Sequence, residues 1–382
     1  MTEWREYKLK ELADFNPDSL TAKNKLEFIN YLDTGNITKG KIDTIQYLNL
    51  LTDKVPSRAK RIVKKNDIVY STVRPNQEHY GIIKNPVDNM IVSTGFVVLR
   101  SKEDKCYSDF LYYFLTLPEN TEYLSNVAED STTAYPSITP DIIMDMDISL
   151  PPLLEQKAIA EVLSSLDDKI DLLTRQNKTL EDLAQAYFRK WFIEDIHNKI
   201  CYKRFADVAE FSKGKKPREI IEEQRKGYVR QILIDTFDTD KEYYTRPEGM
   251  IISTETDILM VMDGASSGRV EIGFSGVVGS TIGMFRPKSD FKYPMFLYEF
   301  LKSNEEFIMD NTTGSAIPHA DKKLIFELEI PYFQEEKIQE FENFALVLFN
   351  KRQNNRRQIR TLTKLRDTLL PKLISGEIRV KM

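Results

Sequence analysis

Six landmarks recur in the same order in the two halves of this 382-residue chain, and the duplication restricts its fold more than any other feature. "YKLKELADF" at 7–15 is echoed by "YKRFADVAEF" at 202–211, and "DIVYSTVRP" from Asp67 by "DILMVMDGA" from Asp257. "VSTGFVVLR" at 92–100 is answered by "GSTIGMFRP" at 279–287, and "YSDFLYYFL" from Tyr107 by "YPMFLYEFL" from Tyr293. "STTAYPSI" from Ser131 matches "TTGSAIPH" from Thr312. The sixth landmark is a junction from proline into a long helical pattern, "LPPLLEQKAIAEVL" at 150–163 and "IPYFQEEKIQEF" at 330–341. One echo could be chance; six in register are a duplication.

Each half reads as a globular domain followed by a helix. Runs such as "DIVYSTV", "MIVSTGFVVL" and "ILMVMDG" are rich in β-branched and apolar residues and broken by Gly, Asn and Pro, as strands are. "YSDFLYYFLTL" and "YPMFLYEFLKS" have the apolar spacing of short helices that pack on a sheet. The expected class is α+β: similar mixed α/β domains at 1–150 and 198–330, with helices at 151–197 and 331–382.

Those helices carry a seam. Leu163, Leu166, Ile170, Leu173, Asn177, Leu180, Ala184 and Tyr187 alternate spacings of three and four, the coiled-coil rule. The equivalent distal set is Ala345, Leu348, Arg352, Asn355, Ile359, Leu362, Arg366 and Leu369, the same seam with polar interruptions. In the order domain, helix, domain, helix, the second helix pairs with the first by running antiparallel, giving a pseudo-two-fold arrangement. From Leu153 to Trp191 the first is roughly 58 Å long at about 1.5 Å per residue, which suits a spacer. Asn177 and Asn355 fall on the seam, either as buried amides that set register or as partly solvated groups. "AYFRKWF" gathers Tyr187, Phe188, Trp191 and Phe192 at one helix end, where they pack either into a domain core or against a partner.

No run is apolar enough to span a bilayer and the start lacks a signal-peptide core, so the cytoplasm is expected. Cys106 and Cys201 are too few and too far apart for a disulfide framework or a cysteine zinc site. A net charge of -5 excludes an indiscriminately basic nucleic-acid binder, though not a local basic groove. Duplex DNA has local two-fold symmetry, and dimeric readers place equivalent elements whole helical turns apart. Two similar but unlike domains at the ends of a rod fit a bipartite, asymmetric target.

"LPPLLEQKAIAEVLSSLDDKIDLLTRQNKTLEDLAQAYFRKWF" resembles the central conserved region of the specificity subunit of type I restriction-modification systems. "IPYFQEEKIQEF" with "LTKLRDTLLPKLISGEI" resembles its distal conserved region, with "YFQEE" departing from "PPLLEQ". "YKLKELADF" and "YKRFADVAEF" resemble the openings of its two target recognition domains. The resemblance spans the whole chain. It implies a subunit without catalytic activity that binds double-stranded DNA and holds two methyltransferase subunits, joined by restriction/translocase subunits. It also implies no cofactor here, with S-adenosylmethionine, ATP and Mg on the partners, and no membrane association.

Base edges call for Arg, Asn and Gln on loops, and phosphates for Ser, Thr and Lys. The candidates in the first half are Arg74, Asn76, Gln77 and His79 after a strand, with Ser131, Thr132 and Thr133 on a second loop. In the second half they are Ser266, Ser267 and Arg269, with Thr312, Thr313, Ser315 and His319. Lys213, Lys215, Lys216 and Arg218 in "SKGKKPRE" read as a phosphate-binding loop. Pro140, Asp141, Glu155 and Lys157 spell a metal-nuclease pattern, but Glu155 and Lys157 follow two prolines at a helix start rather than lying on a strand. Glu155 instead suits the positive end of the helix. "GASSGR" lacks the G-K-[ST] of a phosphate-binding loop, and His79, His197 and His319 have no metal-ligand spacing. The alternatives are a stand-alone bipartite DNA-binding protein and, less favoured by these residues, a nuclease.

Overall fold

A computed structural model of the chain describes residues 4–21, 23–130, 135–194, 201–239, 241–314 and 317–381. It divides into two compact units, Met1–Lys169 with Leu362–Met382, and Ile170–Thr361. The sequence suggests helices separate from the domains; in the structure each long helix is divided between the units, 153–169 and 362–374 in unit 1 and 170–188 and 335–361 in unit 2, with Leu163 and Leu373 in the core of the first and Phe188 and Phe341 in that of the second.

Unit 1 holds two four-stranded sheets. In the first the order is Gln46–Asn49, Phe28–Leu32, Met90–Ser93, Ala59–Ile62, with Phe28–Leu32 and Met90–Ser93 parallel. In the second it is Ala13–Phe15, Phe96–Ser101, Ile68–Ser71, Tyr80–Ile82, antiparallel throughout. Unit 2 repeats both orders: Tyr243–Thr245, Val229–Ile232, Gly276–Val278, Ile252–Ser253, and Ala209–Lys213, Ile282–Pro287, Ile258–Val261, Val270–Ile272. The parallel pair recurs as well, between Val229–Ile232 and Gly276–Val278. The duplication thus extends to strand order and direction.

Strand Ile68–Ser71 is buried at every position because both of its faces are covered. Side chains alternate with the pleat: Ile68 and Tyr70 enter a core shared with helix Ser108–Leu115, while Val69 enters the core between the two sheets. Ile258 and Met260 against Leu259 repeat the division in unit 2. Each second sheet is pinned by a matched ion pair. Asp67 accepts from Arg100 Nε and Nη2 at 2.8 and 2.7 Å, and Asp257 from Arg286 at 2.7 and 2.6 Å. Both carboxylates are buried and also accept a backbone N–H, from Lys64 and Thr254. The recurring "DI" and Arg of two landmarks are the ends of this pair.

The central helix, Leu153–Phe188, starts where Pro151 and Pro152 end the preceding strand, and Pro152 O accepts the N–H of Glu155 and Gln156. Gln156 closes its start by accepting from Tyr107 N at 2.8 Å. Glu155 is buried and receives Arg379 Nη2 at 2.8 Å, so it has a full counterion beyond the helix dipole. Asp141 lies on the short helix Pro140–Met144, and no metal-holding cluster of acidic, His or Cys residues occurs among the described residues. The distal helix, Glu335–Ile374, ends before Gly376, whose φ of 78° is the left-handed turn that stops a helix.

Leu163 and Leu173 are buried on the seam, and Leu166, Ile170 and Leu180 partly so. Asn355 is fully buried and its Nδ2 donates to Asn177 Oδ1 at 3.0 Å, which identifies it as a register-setting amide. The polar interruptions are ion pairs between helices: Arg352 with Glu181 at 3.3 Å in unit 2, and Arg366 with Asp167 at 2.9 Å in unit 1. Leu348, Ile359, Leu362 and Leu369 are partly buried. Tyr187 departs from the seam: it is exposed against Phe344, and Phe188 is buried in its stead. There the helix leaves a two-helix contact and joins a wider core, where Phe188 and Phe192 meet Phe296 and Phe341. Phe188 and Phe192 are therefore core, with Trp191 packed at its edge and Tyr187 exposed.

Candidate nucleic-acid interface

Two equivalent loops leave the second sheet of each unit, at 74–79 and 264–269. Each is framed by the same backbone bonds. In unit 1, Ser71 N donates to His79 O, Thr72 N to Gly95 O, Arg74 N to Pro136 O and Ile138 N to Thr72 O. In unit 2, Val261 N donates to Arg269 O, Met262 N to Thr281 O, Gly264 N to Pro318 O and Ala320 N to Met262 O. Both loops turn at two left-handed corners, Arg74 and Glu78 at φ 48° and 56°, Gly264 and Gly268 at 111° and 100°. Glycine enters that region without strain, whereas a side chain there costs roughly 1 kcal/mol or more.

The chemistry on this shared frame differs. In unit 1 the turn Pro75–Gln77 exposes Asn76 and Gln77, and Arg74 lies with its guanidinium 5.3 Å from the centre of the Tyr135 ring. His79 turns inward: its Nδ1 donates to Ile37 O at 2.7 Å and is 3.3 Å from Thr38 Oγ1, so it holds the loop rather than facing solvent as expected. Arg74, Pro75, Asn76, Gln77, Ser125, Glu129 and Pro136 line a cleft of about 240 Å³.

In unit 2 two of the expected contacts are engaged internally. Ser267 is buried, with its hydroxyl 2.7 Å from Gly264 O and 2.8 Å from Pro318 O. Arg269 Nη1 and Nη2 grip Asp238 at 2.8 and 2.7 Å, and Nε donates to Glu271 at 3.0 Å; these bonds hold its guanidinium firmly charged. Both residues shape the loop instead of presenting donors. Ser266 and Thr312 are partly exposed, and Thr313 is exposed and bridges to His319 through paired backbone bonds. Asp263, which residue-type reasoning passed over, immediately precedes the loop, with Lys213 Nζ at 2.7 Å and His319 Nδ1 at 2.8 Å. Partial burial raises its acidity constant's pKa, but bonds to Lys213 and His319 outweigh it and leave the carboxyl below its ordinary value. The signal in the sequence was the Asp-Gly turn in "VMDGA".

Lys215 donates to Gly249 O at 3.0 Å, and Lys216 and Arg218 are exposed without an ion pair among the described residues. Ser131, Thr132, Thr133, Ser315 and His197 lie outside the described residues.

A family model described as "Type I restriction modification DNA specificity domain" matches residues 1–182 and again 198–355. The chain belongs to that family. The specificity subunit of the type I restriction enzyme HindI of Haemophilus influenzae is 27% identical across 99% of this chain and 100% of its own length. That of MjaIX of Methanocaldococcus jannaschii is 27% identical across 99% and 94%. A solved type I restriction-modification S subunit from M. genitalium superposes with a TM-score of 0.63 at 18% identity, covering 99% of this chain and 96% of that one. That likeness supports the fold of the specificity subunit. No described helix is long and apolar enough to cross a membrane.

Proposed function

We propose that this specificity subunit reads a bipartite, asymmetric duplex target, each unit contacting one half-site through its framed loop. The observation that carries the reading is the repetition of one loop frame with unlike side chains: Arg74, Asn76 and Gln77 in unit 1, Lys213, Asp263, Ser266 and His319 in unit 2. Identical frames reach equivalent positions on DNA, and unlike side chains read unlike sequences. Lys215, Lys216, Arg218, Thr312 and Thr313 supply phosphate contacts in unit 2, with Ser315 on the same loop, and Ser131, Thr132 and Thr133 do so in unit 1.

The subunit is non-catalytic in this reading. It holds two methyltransferase subunits that modify adenine with S-adenosylmethionine, and restriction/translocase subunits that use ATP and Mg join them. Mapping methylated adenines in cells with and without this subunit tests the reading. A motif in two unlike parts separated by a non-specific gap, present only with the subunit, is the expected result; a short continuous palindrome contradicts it.

A further inference from the structure

Arg74 and Glu129 face one cleft as unpaired opposite charges. Both are exposed, neither makes an ion pair among the described residues, and they are not paired with each other. Three other arginines of the two units are engaged: Arg100 by Asp67 and Asp18, Arg286 by Asp257, Arg269 by Asp238 and Glu271. Arg74 also occupies a left-handed corner at φ 48° where the equivalent residue of unit 2 is Gly264. A strained side chain kept at a loop tip points to a use for that side chain. In unit 2 the corner at Gly268 lies close against helix Glu305–Asp310: a Cβ on Gly268 would come within 2.9 Å of Met309 Cγ and 3.0 Å of Met309 N.

We infer that Arg74 and Glu129 together read a single G·C pair in the half-site of unit 1. The inference rests on the proposed bipartite reading. A cation and an anion held apart across a cleft call for a ligand with acceptors at one end and a donor at the other. In the major groove a G·C pair has that pattern: guanine O6 and N7 accept from the guanidinium fork, and cytosine N4–H2 donates to a carboxylate. An A·T pair places acceptor and donor side by side on adenine, which suits an Asn or Gln amide. Its far edge is an acceptor and a methyl group, neither of which can donate to Glu129. Arg74 stands over the Tyr135 ring, which limits the guanidinium's freedom before DNA arrives.

The test maps methylated sites in cells carrying the whole complex with wild-type subunit, Arg74→Gly or Glu129→Gln. Arg74→Gly installs the residue that unit 2 uses at this corner, so the fold is retained and its unfolding midpoint is unchanged or raised. The wild type is expected to require G·C at one position of one half-site. Both substitutions should lower discrimination at that position by roughly 10- to 100-fold, leaving the other half-site and the gap unchanged. A motif untouched by both substitutions, or relaxed at an A·T position, overturns the assignment. So does complete loss of methylation with the complex still assembled, since the pair then supplies affinity and not discrimination. Failure of the underlying reading is distinct: the wild-type subunit then directs no two-part motif.

Discussion

Glu299 lies buried on helix Pro294–Ser303, with Oε2 lacking a hydrogen-bond partner, while the nearby Arg352 is bonded to Glu181. Burial pushes its carboxyl up to about 8, the charge on Arg352 opposing the shift and that on Glu181 adding to it. In the unfolded chain a Glu ionises near 4.3. Between these values the folded unit binds a proton that the unfolded chain does not, so stability is full below about pH 4 and declines as pH rises to 8. At 1.36 kcal/mol per pH unit, the decline by pH 7 is about 3 to 4 kcal/mol. Glu299→Gln keeps the shape and removes the titration. Chemical denaturation at pH 5 and pH 8, followed by Trp191 fluorescence in a Trp4→Phe background, should show unit 2 of the variant gaining stability over wild type mainly at the higher pH. Equal pH dependence in the two proteins would refute a buried, proton-binding Glu299.

Asp67→Asn removes the acceptor of a bidentate Arg100 pair whose carboxylate is buried but whose guanidinium is partly exposed, so unit 1 should lose about 2 kcal/mol. An unshifted denaturation midpoint at Trp4 would count against a structural pair. Asn355→Ala deletes the amide that donates to Asn177 and leaves a small gap, with an expected loss of about 1 to 3 kcal/mol in unit 2; a midpoint that does not fall would place the amide outside the seam. Lys216→Gln and Arg218→Gln should each lower the slope of log binding constant against log salt by about 0.9 for the assembled methyltransferase complex on duplex DNA. An unchanged slope, measured by fluorescence anisotropy, would remove these residues from the phosphate contacts.

The frame of the molecule was legible because its signals are periodic or duplicated. The recurring Asp67 and Asp257, with Arg100 and Arg286, turned out to be one ion pair made twice. The seam was readable over most of its length and failed at Tyr187, where packing changes from two helices to a domain core and Phe188 takes the buried place. Loop positions were legible too, but the duties of individual side chains were not. Arg74 and Arg269 look alike in sequence; only the second has Asp238 and Glu271 beside it. His79 and Ser267 are likewise turned inward by carbonyls at Ile37 and Pro318, partners that lie 42 and 51 residues away. Residue type names what a group can donate, and tertiary neighbours decide where it donates.

The loop frame explains how one fold can serve unlike half-sites. All four bonds that hold each loop run from backbone N–H to backbone C=O, so they do not depend on the side chains between them. A change within 74–79 or 264–269 that spares His79, Ser267 and Arg269 therefore leaves the frame standing and costs chiefly what the two left-handed corners impose. For non-glycine residues that is roughly 1 to 3 kcal/mol each, against a stability of about 5 to 15 kcal/mol for a domain. Unit 1 carries that strain at Arg74 and Glu78, and unit 2 avoids it with Gly264 and Gly268. Unit 1 presents the exposed charge of Arg74 at its corner, whereas unit 2 carries its charged groups beside the loop, on Lys213, Asp263 and His319. Exchanging Arg74 and Gly264 would consequently move strain from one unit to the other without disturbing either sheet.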